Sequence, residues 1–319
     1  MEELNYTIGG YFELELNKNS EYHQSALRLN TGRNALEYIL EANHYSKIYL
    51  PYFTCDVLLQ PIKNLEIEFE FYKIDEKLEP IFDFSKIEEG ECFLYTNYFG
   101  LKDSFVKKLS KKCKNLVIDN AQSFYSKPIK NVDTFYSPRK FFGIPDGAYL
   151  YSSKRIEGNL NQDLSFERFE HLLRRIDMNA EEGYKYFSLN DEKLNNLPIL
   201  HMSNLTKRML ESIDYNSIAK RRIDNYLFLD KKLKKINVLK IDFNQKQVPM
   251  VYPFWGNDKL RKKLIKNKIY CAKYWPNVRE WVKTNALEYK LAEEVIYLPI
   301  DQRYDLKDME LIVNMIFDV

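Results

Sequence analysis

The pattern of apolar and polar residues divides the chain in two. Up to about residue 150, short apolar runs alternate with amphipathic ones. Runs at 47–50, 66–72, 92–97, 116–119, 134–136 and 148–151 are rich in Ile, Val, Phe and Tyr and end at Pro, Gly, Asn or Asp, which predicts strands. Helical patterns lie between several of them. Over 32–42, Leu36, Ile39 and Leu40 form one apolar face, and 104–112 reads as a short basic helix. Strands alternating with helices predict a mainly parallel sheet covered on both faces. Such sheets bind ligands beyond the carboxyl ends of their strands. Residues 51–54, Asn97 and Asp119 occupy such ends.

From about Leu205 the pattern turns helical. Met209, Leu210, Ile213, Ile223, Leu227 and Leu233 make a stripe that breaks near 214–216. A strand at 248–254, a helix at 258–266, strands near 269–274 and at 295–300, and a last helix from about Asp305 follow. The expected division is a large domain over 1–204. A long connecting helix and a small C-terminal α/β domain then fill 205–319.

Composition narrows the class. Of 319 residues, 45% are hydrophobic and 29% charged, which describes a soluble globular protein. A net charge of +2 is too balanced to argue for nucleic acid or an anionic membrane as partner. The basic clusters at 231–235 and 261–263 follow helical spacing and read as solvated faces. Cys55, Cys92, Cys113 and Cys271 form no C-x-x-C pair, and the four histidines do not cluster with them. No metal site is expected, and reduced thiols suit the cytoplasm. Residues 1–6 are acidic and lack an apolar signal region, and no stretch approaches a membrane span.

Lys140 carries the most informative chemistry. Phe135 and Tyr136 precede it, and Phe141, Phe142 and Gly143 follow directly. An ammonium among aromatics is expected to lose hydration, which makes its amine a usable nucleophile. Upstream, the apolar run 116–118 ends on Asp119. A lysine able to form a Schiff base and a carboxylate at a strand end are what pyridoxal 5'-phosphate chemistry requires. The carboxylate would hold a pyridinium N–H and keep the ring an electron sink. Read alone, Asp119 is first of all a cap of the following helix. Gln122, three residues on, either reaches the same ligand or is a surface glutamine. Thr31 and Gly32 open the 32–42 helix, where free N–H groups and the helix dipole suit a phosphate. An ordinary capped helix has the same pattern. Ser137 and Lys140 form Ser-x-x-Lys, a pattern also found at serine nucleophiles of penicillin-binding enzymes. The Lys-Thr-Gly and Ser-Asp-Asn companions of that chemistry are not evident. Asp119 and Lys140 are 21 residues apart, room for one helix or loop and the next strand, so both fit on one rim of a sheet.

Together these segments resemble the DegT/DnrJ/EryC1/StrS family of sugar aminotransferases, within the fold-type-I class. The matching pieces are Thr31-Gly-Arg-Asn-Ala-Leu36, Leu50-Pro-Tyr-Phe-Thr-Cys55, Asn97-Tyr-Phe-Gly100, Val117-Ile-Asp-Asn-Ala-Gln122, Phe135-Tyr-Ser-Pro-Arg-Lys140 and Asp146-Gly147. Met202-Ser-Asn204 and the helix carrying Arg221, Arg222, Asn225 and Tyr226 resemble the start of the family's second half. The resemblance implies that Lys140 forms the Schiff base and then moves protons between substrate and cofactor carbons. It implies that Asp119 pairs with the pyridine nitrogen and Gln122 with the ring oxygen. Gly32 and Arg33 would supply phosphate N–H groups, and Ser137 a hydroxyl. Phe53 would cover the ring face, with Asn97 in the cofactor site. Tyr52, Tyr98 and Arg303 are the expected substrate contacts. The implied reaction transfers an amino group from an amino acid such as glutamate to a nucleotide-linked keto sugar in surface polysaccharide or amino-sugar biosynthesis. The implied assembly is a homodimer with shared active sites.

The chain departs from the family in three places. It is shorter than its resemblance predicts, the glycine-rich stretch after the lysine is reduced to Asp146-Gly147-Ala148, and the Gly-x-Asn-x-Arg-Met segment before Met202 is replaced by Pro198-Ile-Leu-His201. Asn195 and Asn196 stand nearby as substitutes for its phosphate-binding Asn. These departures leave two alternatives: another pyridoxal phosphate reaction on a different substrate, or a non-catalytic protein of the same fold.

Overall fold

A computed structural model describes residues 8–318, so the 1–6 segment read above lies outside the described residues. In chain order the first part contains β1 (Leu27–Leu29), α1 (Gly32–Asn43), β2 (Lys47–Pro51), α2 (Leu59–Asn64), β3 (Glu68–Ile74), β4 (Pro80–Ile81), β5 (Glu91–Thr96), α3 (Asp103–Leu109), β6 (Leu116–Asp119), β7 (Asp133–Tyr136) and β8 (Ala148–Tyr151). Helices α4 (Glu170–Asp177), α5 (Ala180–Lys193), α6 (Asn204–Glu211) and α7 (Tyr215–Leu233) follow. The chain closes with β9 (Val251–Trp255), α8 (Asp258–Lys266), α9 (Val278–Trp281), α10 (Leu287–Glu294), β10 (Val295–Pro299) and α11 (Leu306–Phe317).

The first eight strands form one sheet in the order β1-β8-β7-β6-β5-β2-β3-β4. Its centre, from β3 through β2, β5 and β6 to β7, is parallel, and the edges are antiparallel. A parallel centre needs both faces covered, and alternate residues supply the two faces. Along β5, Cys92 and Leu94 point into an apolar cluster with Leu36, Ile39 and Leu40 of α1 and Ile62 of α2. Phe93 and Tyr95 point the other way. Their cluster runs on through Leu229 of α7, Phe254 of β9, Leu298 of β10 and Ile312 of α11, so one continuous core joins the large sheet to the C-terminal part. The expected division at 204/205 falls at the start of α6.

Two expectations are corrected. The segment 269–274 is not a strand: it makes a single bridge, Ala272 to Tyr297, between left-handed residues Lys268 and Trp275, which interrupt an extended backbone. The stripe in α7 is also not purely apolar. Its buried face is Tyr215, Arg222, Asn225, Tyr226, Leu229 and Leu233, while Ile223 and Leu227 are only half-buried. The break between α6 and α7 lies at 212–214, where Asp214 accepts a hydrogen bond from Ser217 N–H and caps α7. The hairpin of α4 and α5 has no counterpart in the sequence expectations, because much of its apolar content is exposed.

A buried histidine ties the start of the chain to the sheet. His23 Nε2 lies 2.7 Å from the Phe124 carbonyl, which can only accept, so that nitrogen carries the proton. Nδ1 then accepts from the Tyr151 hydroxyl at 3.1 Å. Burial pushes His23 down to about 4. Below the ordinary value of 6.5 the unfolded chain takes up a proton that the fold refuses, so stability falls as pH drops from about 6.5 to about 4. The full loss is ~3 kcal/mol. Urea unfolding of the wild type and His23→Gln at pH 7, 5.5 and 4.5 checks this. The wild type's advantage over the variant should shrink steadily across that window.

Candidate active site

The carboxyl ends of the central strands converge on one rim. Thr96 of β5 pairs with Asp119 of β6, which in turn lies opposite Phe135 of β7. Three residues beyond Phe135 the chain enters the short turn Pro138–Lys140. Backbone bonds hold it: Lys140 N–H donates to Ser137 O at 3.2 Å, and Phe141 N–H to Pro138 O at 2.9 Å. Phe141 and Phe142 are buried, whereas Lys140 itself is exposed. The expected aromatic enclosure of the amine is therefore absent, because the flanking rings turn into the core. The ionisable groups that feel the Lys140 charge are instead the carboxyls of Asp119 and Asp191 and the Cys55 thiol, which burial pushes up and keeps neutral.

Asp119 is buried at the end of β6, and its Oδ1 accepts from Ala121 N–H at 2.8 Å. Burial pushes its carboxyl above the usual range, against the opposing pull of the Lys140 ammonium and the Ala121 N–H. Gln122 is buried with its Oε1 accepting from Phe99 N–H at 3.1 Å, and its Nε2 has no partner. A buried amide donor left unpaired is costly, so its position is informative.

Helix α1 starts on the same rim. Thr31 caps it by accepting from Asn34 N–H at 3.1 Å. The Gly32 and Arg33 N–H groups are among those that a first helical turn leaves without an intrahelical acceptor. Gly32 lies directly against the end of β7: a Cβ built on it would sit 3.8 Å from Ser137 Cβ and 3.9 Å from the Phe135 ring. The Arg33 side chain is about nine-tenths buried and its Nε has no partner. Burial pushes the Arg33 guanidinium down from its ordinary value, opposed by Asp191 and reinforced by Arg139. Arg139 Nη1 donates to Asp191 Oδ1 of α5 at 2.7 Å. Against the upward push of burial, Asp191 is held below the usual carboxylate range by Arg139, with Arg33 and Lys140 adding to the effect. Arg33, Arg139, Lys140 and the α1 N-terminus thus gather positive potential around one carboxylate.

Several expected site residues are engaged elsewhere. Asn97 Nδ2 donates to Asp103 and Asn120 at 2.8 and 3.0 Å, and its Oδ1 accepts from Lys102 N–H, so the side chain braces its own loop. Tyr98 is fully buried and its hydroxyl donates to the Phe53 carbonyl at 3.0 Å, which removes it from any substrate. Phe53 is also fully buried, between Tyr98 and Trp275 with centroids 5.6 and 4.7 Å away, so its ring offers no open face. Tyr52 is half-buried and stacks on Phe71 at 4.9 Å. Arg303 is exposed and locked in a two-point pair with Asp301, Nε and Nη2 donating at 2.7 and 2.8 Å.

Two glycines shape the rim. Gly100 has φ +74°, and a Cβ there would lie 2.8 Å from the Val248 carbonyl. Gly147 has φ +98° and approaches Thr206 and Met202 closely, while its N–H donates to Asn30 O at 2.6 Å. Asp146 before it is buried against Thr206 and Arg168 and serves the fold. Sequence reasoning passed over Arg139 and Asp191. Arg139 is adjacent to Lys140 and was open to notice; Asp191 carries no local signal.

No family model matches the chain, and no curated protein matches it by sequence. Solved structures do match in shape. DesV of S. venezuelae, solved in complex with a ketimine intermediate, aligns with TM-score 0.64 and 14% identity over 92% of this chain and 84% of that one. The fold is that of the fold-type-I transferases. The sugar aminotransferase CalS13 from Micromonospora echinospora aligns with TM-score 0.59 and 14% identity, covering 91% and 86%. A DegT DnrJ EryC1 StrS aminotransferase from Brucella abortus gives 0.57 and 13%, covering 92% and 85%. Identities this low carry the architecture and leave the chemistry to the residues on the rim.

Proposed function

We propose that the protein is a pyridoxal 5'-phosphate-dependent aminotransferase of the DegT/DnrJ/EryC1/StrS kind. It would move an amino group from an amino acid, glutamate foremost, to a nucleotide-linked keto sugar in surface polysaccharide or amino-sugar biosynthesis. One observation carries the reading: a buried carboxylate, Asp119, and an open amine, Lys140, share a strand-end rim closely enough for their charges to act on each other. The structural neighbours, some of them described as sugar aminotransferases, support it.

The residues present fit the cofactor. The unpaired Gln122 Nε2 is a donor awaiting an acceptor, and the unpaired Arg33 Nε is a buried cation awaiting an anion. Asp119 would hold the pyridine nitrogen, Gln122 the ring oxygen, and Gly32, Arg33 and Ser137 the phosphate. Bound there, the cofactor supplies an electron sink for the bond broken at the amino-bearing carbon. Lys140 would supply the nucleophilic amine, and its Nζ would be the atom that holds and moves the proton during transfer. Asp119, buried at the end of β6, would set a carboxylate against the ring nitrogen and hold its proton there. Tyr52, half-buried at the end of β2, is retained as a sugar contact.

A homodimer is part of the proposal. The hairpin of α4 and α5 exposes Leu173, Ile176, Met178, Tyr184 and Phe187, with Ile176 at 80% exposure, and such a patch favours self-association. Asp191, at the candidate site, lies on the same α5. A cytoplasmic location is supported by four unpaired cysteines, and among the described residues no helix is long and apolar enough to cross a membrane.

The test is an absorption spectrum of the protein with added pyridoxal phosphate, before and after glutamate. A yellow band that glutamate converts to the pyridoxamine form is expected. Binding without conversion would assign another donor or another reaction of the same cofactor. No binding would overturn the reading.

A further inference from the structure

On one side the turn that carries Lys140 is closed by its own backbone bonds, from the Lys140 N–H to the Ser137 carbonyl and from the Phe141 and Phe142 N–H groups to the Pro138 carbonyl. On the other side the Phe141 carbonyl, the group directly after Lys140, accepts two hydrogen bonds from the C-terminal part. Arg222 Nη2 of α7 donates at 3.1 Å, and Gln302 Nε2, shortly after β10, donates at 2.8 Å. Both lone pairs of that carbonyl are thereby used. Arg222 also donates from Nη1 to the Met250 carbonyl at 3.0 Å, and its guanidinium carbon lies 4.7 Å from the Phe141 ring centroid.

This is an expensive arrangement for packing alone. Arg222 is fully buried, and its Nε is left without a partner. Burial pushes its guanidinium down to about 10, and the nearest carboxylate influence, Asp301, is already paired with Arg303. The rest of the buried face of α7 is Tyr215, Asn225, Tyr226, Leu229 and Leu233, none of them charged, and an apolar side chain at 222 would avoid the desolvation of a charge. A buried cation that spends its donors on backbone carbonyls fixes backbone position.

We propose that Arg222 and Gln302 are positioning residues: by gripping the Phe141 carbonyl from two directions they fix the turn that presents the Lys140 amine, and tie it to the C-terminal part of the chain. The inference rests on the reading of Lys140 as the reactive amine, but the grip itself is testable without it. Its functional consequence is that displacement of α7 or of the segment after β10 reaches Lys140 through one carbonyl.

The variants are Gln302→Leu and Arg222→Met, which keep bulk and lose the donors, and Arg222→Lys, which keeps one. Two measurements use the whole chain. The first is the rate at which trinitrobenzenesulfonate labels Lys140 in the cofactor-free protein, read by peptide mass spectrometry against Lys112 and Lys246. The second is the induced circular dichroism of added pyridoxal phosphate. Gln302→Leu and Arg222→Met should change the relative labelling of Lys140 at least threefold and halve the induced signal, with other lysines unmoved. Arg222→Lys should recover part of both. Gln302 is only half-buried, so Gln302→Leu decides the matter if Arg222→Met does not fold. Unchanged Lys140 labelling in folded Gln302→Leu would overturn the proposal. If the wild type binds no cofactor, the functional reading fails while the labelling still decides the grip.

Discussion

Lys140→Ala should abolish the lysine-dependent absorption band of added pyridoxal phosphate and lower turnover by on the order of 10,000-fold or more, the scale of removing a reacting group that acts with others. Alanine has no amine to form the covalent link or to carry the proton between carbons. The same substitution should leave the fold nearly untouched. Lys140 is exposed, and the turn around it is held through the backbone of Ser137, Pro138 and Phe141. Exposed substitutions of this kind usually fall within about 0.5 kcal/mol of neutral. Thermal unfolding and far-UV circular dichroism should therefore match the wild type while the visible spectrum and the turnover do not. Turnover within tenfold of the wild type would remove Lys140 from the mechanism.

Asp119→Asn should move stability and activity in opposite directions. Asparagine is nearly isosteric and still accepts from Ala121 N–H, so the local hydrogen bond survives. It no longer places a charge in a site whose burial pushes the carboxyl upward, which should raise the melting temperature. The cost falls on chemistry. A neutral amide cannot hold a protonated pyridine nitrogen as a carboxylate does, and losing such a preorganised charge lowers turnover by roughly 100- to 1,000-fold. A rise in melting temperature with a fall in turnover would mark Asp119 as a residue kept for function at a cost to the fold. Equal losses in both would make it a structural cap.

The elements that the pattern predicted well are those whose burial leaves a local trace. β6 is four buried residues in a row, as a central parallel strand should be, and the 258–266 helix was bounded by its own amphipathic spacing. The 269–274 segment has strand-like composition, but left-handed residues at both ends prevent the ladder from forming. Gly32, Asp119, Gln122, Ser137 and Lys140 were readable as a rim because strand ends and helix starts are local signals. Tyr98 and Phe53 look equally suited to a site in sequence; that both are sealed in the core depends on Trp275, far along the chain. The Arg222 bond to Phe141 spans 81 residues and the Gln302 bond 161, and no spacing rule connects such pairs.

Everything proposed for the rim turns on Lys140 being the amine that binds pyridoxal phosphate. Borohydride reduction of the protein incubated with the cofactor, followed by proteolysis and peptide mass spectrometry, tests it most directly. One dominant phosphopyridoxyl adduct is expected, on Lys140, absent from Lys140→Ala and weakened in Asp119→Asn. An adduct spread evenly over surface lysines, or one centred on another lysine, would contradict it.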